Sequence, residues 1–345
     1  MNNEFDLIII NNCPSFYKIN LYNEVAKNTN IYVIFLGLTS QVVINEDFSN
    51  DCNFPFVLIN NSDVDKRNKS LTFYKVYKLL KHFHFKKIVY GGYILPELIL
   101  LSFLFPKNKN ILQTESAFES KLSGVKFFIK RMIINRFSSA IVSGKIHKEV
   151  LLKMGFKGNI KITKGVGIIK KSEEKLHFIK FKSLKLNYLF VGRLIKLKNV
   201  EFLINIFNEL DRSLTIVGTG EDENYLKSIA NKNIRFLGFV KNDNIKDIYA
   251  THDVFILPSL SEPWGLVVEE ALYNKCILLL SNRVGSYPEL LEDIKSGETF
   301  DPMSVDSFLT ALAKIEENFE SYINNINNYN LNKKDNDQIK AYSTL

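Results

Sequence analysis

Short unbroken apolar runs alternate along this chain with longer stretches in which apolar residues return every three or four positions. Leu7–Ile10 predicts a buried strand, and Tyr17–Lys27, with Ile19, Leu21, Tyr22, Val25 and Ala26 on one face, predicts a helix. Ile31–Leu36 is the next strand. Two strands joined by a helix over so short a span form a βαβ unit, parallel and right-handed, with helices covering both faces of the sheet. The rhythm continues with a helix over Leu71–Phe83 and strands over Lys87–Tyr90, Ile111–Gln113 and Ala140–Val142, then a helix over Lys148–Met154. This predicts a doubly wound domain, whose ligand crevice opens at the carboxyl ends of its strands.

After Lys164–Gly167 the stretch Lys170–Lys185 is charged with little periodicity, as a connection between domains would be. A second alternation then begins. Strands running into a loop or turn are predicted over Leu186–Arg193, Ser213–Gly220 and Ile234–Val240, and further strands over Asp253–Pro258, Cys276–Ser281 and Gly297–Pro302. Helices are predicted from Val200 to Leu210, Tyr225 to Ala230, Ile245 to Tyr249 and along Val267–Leu272. At 345 residues the chain is comfortable as two cores. The domains expected are 1–168, 169–320 and a tail, 321–345. In the tail Tyr322, Ile323, Ile326 and Tyr329 are spaced for one last helix, crossing back to the first domain or not, and the last fifteen residues are polar enough to lack order.

The charge balance sharpens this picture. Lys and Arg number 45 against 37 Asp and Glu, a net +8 that suits a nucleotide diphosphate, a lipid phosphate or an acidic membrane face, and serves solubility as well. Nucleic acid is not an expected partner, because no base-stacking module or dense arginine cluster is present. The three cysteines, Cys13, Cys52 and Cys276, form neither a disulfide framework nor a metal-binding pattern, and a cytoplasmic protein is expected. The first residues lack a signal-peptide pattern, and the apolar run Ile94–Pro106 is too short to cross a bilayer. Lys121–Phe137 interleaves Lys121, Lys126, Lys130, Arg131 and Arg136 with apolar residues. Two readings stand: a helix lying on an anionic membrane surface, or a core helix with a solvated basic edge.

The densest candidate chemistry lies at Ser261–Leu272, where a strand ends in a loop that opens a helix. Such a junction presents unpaired N–H groups at a positive dipole end, here near Gly265, Leu266 and Val267, and suits phosphate. Glu262 and Glu270 stand on either side of it. Upstream, Gly192, Arg193 and Lys198 follow a strand and precede a helix, which makes a cationic clamp for a diphosphate; Asn199 after them tolerates a left-handed backbone. Gly218 and Gly220 follow the next strand, and Gly238, Phe239 and Val240 the one after.

Glu262-Pro263-Trp264-Gly265-Leu266 followed by Glu270-Ala271 resembles the donor-site signature of family 4 glycosyltransferases, which are retaining enzymes of the GT-B fold. The resemblance is clear from about Asn187 to Pro302. It implies two Rossmann-like, doubly wound α/β domains facing a central cleft, and sugar transfer from a nucleoside diphosphate to a hydroxyl of a saccharide or lipid-linked acceptor in surface-polysaccharide or lipopolysaccharide assembly. By that resemblance Arg193, Lys198 and Glu262 are catalytic. Gly192, Gly218, Gly238, Phe239, Val240, Gly265, Leu266, Val267 and Glu270 hold the nucleotide sugar, Glu270 through the ribose. No metal and no cofactor beyond that co-substrate is implied.

On the acceptor side the candidates are Lys18, Glu115 and Lys145. Pro14–Lys18 stands where many family members carry a glycine-rich loop, so Lys18 would reach out in its place, unless this is an ordinary turn. Glu115 belongs to a Thr-Glu-Ser segment resembling one branch of the family; the other reading there is a helix cap at Ser116 with Glu119 as its partner. A nucleotide-sugar epimerase of the same fold and a non-catalytic nucleotide-binding relic remain the alternatives.

Overall fold

The structure, a computed structural model, describes residues 4–39, 48–117, 124–169 and 185–345. Glu119, Lys121 and nearly all of the charged stretch from Lys170 to Lys185 lie outside the described residues. The chain divides into two compact units, Met1–Lys170 with Asn332–Leu345, and Lys171–Leu331.

The first unit begins with β1 (Glu4–Asn11), α1 (Phe16–Ala26), β2 (Ile31–Phe35), β3 (Phe56–Leu58), α2 (Lys69–His82) and β4 (His84–Gly91). It continues with α3 (Pro96–Leu104), β5 (Asn110–Thr114), α4 (Gly124–Ile134), β6 (Ser139–Val142), α5 (Lys145–Lys153) and β7 (Asn159–Ile162). The strands form one sheet in the order β3-β2-β1-β4-β5-β6-β7. Every pairing in it is parallel; β1, for example, sets Leu7 against Ile31 and Ile8 against Ile88.

Successive residues of a strand face opposite sides of its sheet. Ile8 and Ile10 therefore join the core beneath α2, α3, α4 and α5, which send in Leu80, Leu101, Ile134 and Leu151. Leu7 and Ile9 face Ile19, Tyr22 and Val25 of α1 on the other side. Both faces are covered, as an all-parallel sheet requires. The two edge strands are short and only partly buried: β3 has three residues, all apolar, and β7 alternates Ile160 and Ile162 with polar residues, so the hydrophobic pattern passes over them. In α3, proline occupies the first turn, where its missing N–H costs nothing.

The second unit runs β8 (Asn187–Val191), α6 (Val200–Glu209), β9 (Ser213–Val217), α7 (Glu223–Ile229), β10 (Ile234–Gly238), α8 (Asn242–Ala250) and β11 (Val254–Leu257). Then come α9 (Leu266–Tyr273), β12 (Ile277–Ser281), β13 (Gly297–Phe300), α10 (Val305–Glu317) and α11 (Phe319–Asn328). Its parallel sheet has the order β10-β9-β8-β11-β12-β13. The sequence pattern did not predict α10, which starts where the Ser304 hydroxyl accepts the N–H of Ser307 at 3.2 Å.

Thirteen of the last fifteen residues form α12 (Leu331–Ser343), and this helix, from Asn332 on, belongs to the first unit. Its composition is polar, but Gln338, Ala341 and Tyr342 share a buried face. The Tyr342 ring meets that of Tyr22 edge-on at 6.1 Å, and the Gln338 amide donates to the Gly167 carbonyl at 3.0 Å. A few buried contacts on one stripe outweigh a polar average. Among the described residues no helix is long and apolar enough to cross a membrane.

Candidate active site

The strand order of the second sheet reverses between β8 and β11. At such a switch point the loops leaving the two strands diverge and open a crevice at their carboxyl ends. Those loops carry Gly192–Asn199 and Pro258–Gly265.

The first loop is fastened by backbone. Gly192 N–H donates to the Val217 carbonyl at 3.0 Å and Leu194 N–H to that of Thr219 at 2.9 Å, zipping it onto the loop after β9. This closeness needs glycine. Gly218 has φ +129°, and a Cβ there would stand 2.0 Å from the Gly192 carbonyl oxygen. Gly218 N–H in turn donates to the Gly238 carbonyl at 2.8 Å, so three of the glycines singled out by the sequence lie in one backbone layer. Asn199 adopts φ 57° and ψ 36°, the left-handed backbone expected of it, and its side-chain amide donates to the Pro302 carbonyl at 3.0 Å.

The second loop is pinned from two sides. Leu260 N–H reaches the Leu197 carbonyl at 2.9 Å, and Glu262 bonds by its own N–H and carbonyl to Arg283 and Gly285 at 2.9 and 2.8 Å. The result places the Glu262 carboxylate against the Lys198 ammonium as an ion pair, each side chain 14% exposed. Arg193 is exposed on the same loop as Lys198. Gly265, at φ +86°, begins α9 without a side-chain cap. The first N–H groups of that helix, through Leu266 and Val267, have no acceptor within the helix and keep their partial positive charge.

Glu270 is half-buried one turn along. The Tyr249 hydroxyl donates to its carboxylate at 3.0 Å. Burial pushes the Glu270 carboxyl up to about 7; the Tyr249 bond works against the rise and neighbouring Glu269 adds to it. Glu269 and Trp264 are both fully buried, and the indole N–H donates to the Glu269 carboxylate at 2.6 Å. Sequence reasoning missed Tyr249 and Glu269. Neither stands in the motif's order, and an apolar-period helix conceals a buried carboxylate that serves a ring five residues away. Phe239 is exposed beyond Gly238, which has φ +66° and open space where a Cβ would be.

In the first unit Lys18 and Glu115 come together. The Lys18 ammonium lies 2.7 Å from the Glu115 carboxylate, with the lysine side chain buried and the glutamate 36% exposed. Lys18 is thus not a side chain reaching into solvent. The pair lines a small cavity with Gln113, Thr114, Ser143 and Gln338. Lys145 is exposed at the first position of α5. Among the described residues no group of three or more His, Cys, Asp and Glu is arranged to hold a metal ion.

Residues 172–331 match the family described as glycosyl transferases group 1. An uncharacterized glycosyltransferase of Methanocaldococcus jannaschii is 32% identical over 148 residues, 40% of this chain and 38% of that protein. An uncharacterized 41.2 kDa protein in the cps region of Klebsiella pneumoniae is 26% identical over 66% of this chain and 68% of its own length. The chain therefore spans little over a third of the first relative and about two thirds of the second. Among solved structures, the lipopolysaccharide outer core galactosyltransferase WaaB superposes with a TM-score of 0.72 at 12% identity, covering 99% of this chain and all of that one. Anabaena HepE in complex with UDP and glucose gives 0.69 at 14% identity, with the same coverage. Residues 172–331, a little under half of the chain, thus match the glycosyl transferases group 1 family, and the fold of the chain is GT-B.

Proposed function

We propose that this protein is a retaining glycosyltransferase that moves a sugar from a nucleoside diphosphate to a hydroxyl of a saccharide, or of a lipid-linked saccharide, in surface-polysaccharide or lipopolysaccharide assembly. The observation that carries the reading is the meeting of Lys198 and Glu262, 64 positions apart in the chain, at the switch point of the second sheet. Two structural neighbours, the lipopolysaccharide outer core galactosyltransferase WaaB and WaaG, a glycosyltransferase involved in lipopolysaccharide biosynthesis, and the Klebsiella relative from a cps region support the setting. Neighbours solved with UDP or UDP-glucose support a nucleotide-sugar donor.

In this reading the bond between the sugar's anomeric carbon and the diphosphate oxygen breaks while a bond from that carbon to the acceptor oxygen forms on the same face. The acceptor's proton passes to the departing phosphate oxygen, and a nucleoside diphosphate leaves. The difficulty is charge, positive on the ring and negative on the leaving group. Arg193, Lys198 and the first amides of α9 are the donors for the negative part; the amides are held in place by their helix, and donors so preorganised stabilise a transition state without rearranging. No metal is assigned to this role. A donor diphosphate would compete with Glu262 for the Lys198 ammonium. Glu262 is then freed to accept a hydroxyl of the transferred sugar, since an ionised carboxylate only accepts. Glu270 accepts the ribose hydroxyls, and Lys18, Glu115 and Lys145 are the acceptor-side candidates.

The test is incubation of the purified protein with a panel of sugar nucleotides and lipid-linked saccharides, followed by product analysis. Free nucleotide with a new glycoside is the expected outcome, and Lys198→Ala or Arg193→Ala should each lower turnover on the order of a hundredfold. An isomerised sugar nucleotide would assign an epimerase instead, and full turnover in both variants would remove the clamp from the mechanism.

A further inference from the structure

The helix α4 has two apolar faces, and only one of them is used by the fold. Ile133 and Ile134 enter the core of the first unit beside Leu98 and Leu101 of α3. Val125, Phe128, Ile129 and Met132 form a second stripe at spacings of three, four and seven, the pattern by which a helix buries a face. Here that stripe is turned to solvent, its residues 77%, 61%, 50% and 55% exposed.

The neighbouring helix extends the patch. On α3, Leu100, Phe103 and Leu104 are 54%, 49% and 54% exposed. The ends of the two helices are tied by Arg136, whose guanidinium lies 5.0 Å over the Phe103 ring and donates to the Ser102 and Phe105 carbonyls at 3.2 and 3.4 Å. With Ile94 before α3, eight of the eighteen exposed large apolar residues among the described ones fall on these two adjacent segments. A concentration of that kind on a folded surface marks an interaction site.

The charge around the patch selects its partner. Neither α2 nor α4 contains an acidic residue. The one carboxylate of α3, Glu97, is fully buried against Arg67. Exposed cations flank the stripe instead, Lys126 and Arg131 on α4, and the neighbouring helix α2 exposes Lys78 and Lys81. An apolar ridge with cations at its margin and no exposed carboxylate on its three helices matches a bilayer interface, with acyl chains for the ridge and anionic headgroups for the lysines.

We infer that the outward face of α3 and α4 docks the first unit onto an anionic lipid surface, with Phe128, Ile129, Phe103 and Leu104 below the headgroups and Lys126 and Arg131 at phosphate level. The inference stands apart from the donor chemistry, which lies in the second unit, so either can fail without the other.

Sedimentation of the full chain with vesicles tests it. Vesicles of phosphatidylcholine mixed with phosphatidylglycerol should carry the protein down, and vesicles of phosphatidylcholine alone should not. The double variant Phe128→Ser, Ile129→Ser should lose at least tenfold in partitioning. Lys126→Glu, which removes no packing, should lose at least about fivefold, since one cation near such a surface contributes about that factor. Both variants should keep the parent's melting temperature and nucleoside-diphosphate binding, because the substituted side chains lie outside the core. Equal sedimentation with both vesicle types, none with either, or unchanged sedimentation of both variants would overturn the inference. So would a concentration-dependent dimer abolished by the double variant without lipid binding, which would make the face an interface between copies.

Discussion

Replacing Glu270 by glutamine separates the charge of this carboxyl from its shape. Burial, above all, raises it from an ordinary 4.5 to about 7 in the folded chain. Between those two values the unfolded chain has lost the proton at this residue and the folded chain has kept it. The folded state then binds more protons, so stability falls as pH rises through the interval. Below it both states are protonated and above it both are ionised, and the contribution is level. At about 1.4 kcal/mol per unit, the whole interval is worth on the order of 3 kcal/mol. Glutamine offers an oxygen to the Tyr249 hydroxyl at the same position but does not titrate. Melting of both proteins should therefore be followed by calorimetry from pH 4.5 to 7.5, where units that unfold separately can be resolved. Relative to the variant, the second unit of the wild type should lose roughly 6–12 °C across the range. Ligand binding should show the opposite slope. Ribose hydroxyls donated to an ionised Glu270 favour the deprotonated form, so wild-type affinity for UDP should weaken about tenfold per unit below pH 7, with the variant as control for the phosphates' own titration. Parallel melting profiles for the two proteins would refute the burial argument. Parallel UDP profiles would refute the ribose role.

Two further substitutions probe the scaffold. Gly218→Ala adds a Cβ 2.0 Å from the Gly192 carbonyl oxygen at a φ of +129°, and should destabilise the second unit by at least about 2 kcal/mol while weakening nucleotide binding. A variant that melts and binds normally would show that the two loops can part without loss. Tyr342→Ala leaves a cavity beside Tyr22 and should lower the melting of the first unit by about 3 kcal/mol with the second unchanged. An unchanged first transition would mean that α12 merely lies on the surface.

The legible part of the fold was the part written in nearest neighbours. Runs such as Leu7–Ile10 and Leu278–Leu280 are strands because a sheet covered on both faces accepts apolar side chains in both directions. Asn199 was readable as a left-handed residue because that backbone preference belongs to the residue itself. Short edge strands such as β3 and β7 were not readable, nor was α12. Their stability comes from partners, the neighbouring strand in one case and Tyr22 in the other, and a local window contains neither.

The site divides in the same way. Its order along the chain, Arg193, Lys198, Glu262, Gly265, Glu270, is a property of the sequence, and so are the left-handed positions that shape its loops. Whether Lys198 meets Glu262 and whether Lys18 is spent on Glu115 depended on groups 64 and 97 positions away, and the lift of Glu270 toward neutrality depended on its burial. The stripe on α4 is the sharpest case. Its spacing was visible from residue types alone, but whether a helical stripe faces a core or the solvent is decided by what packs against it. Here the core was already filled from the opposite side by Ile133 and Ile134. Local preference sets which elements form; pairing across the sheet sets what those elements face, because burial and charge are energies of surroundings and not of a residue by itself.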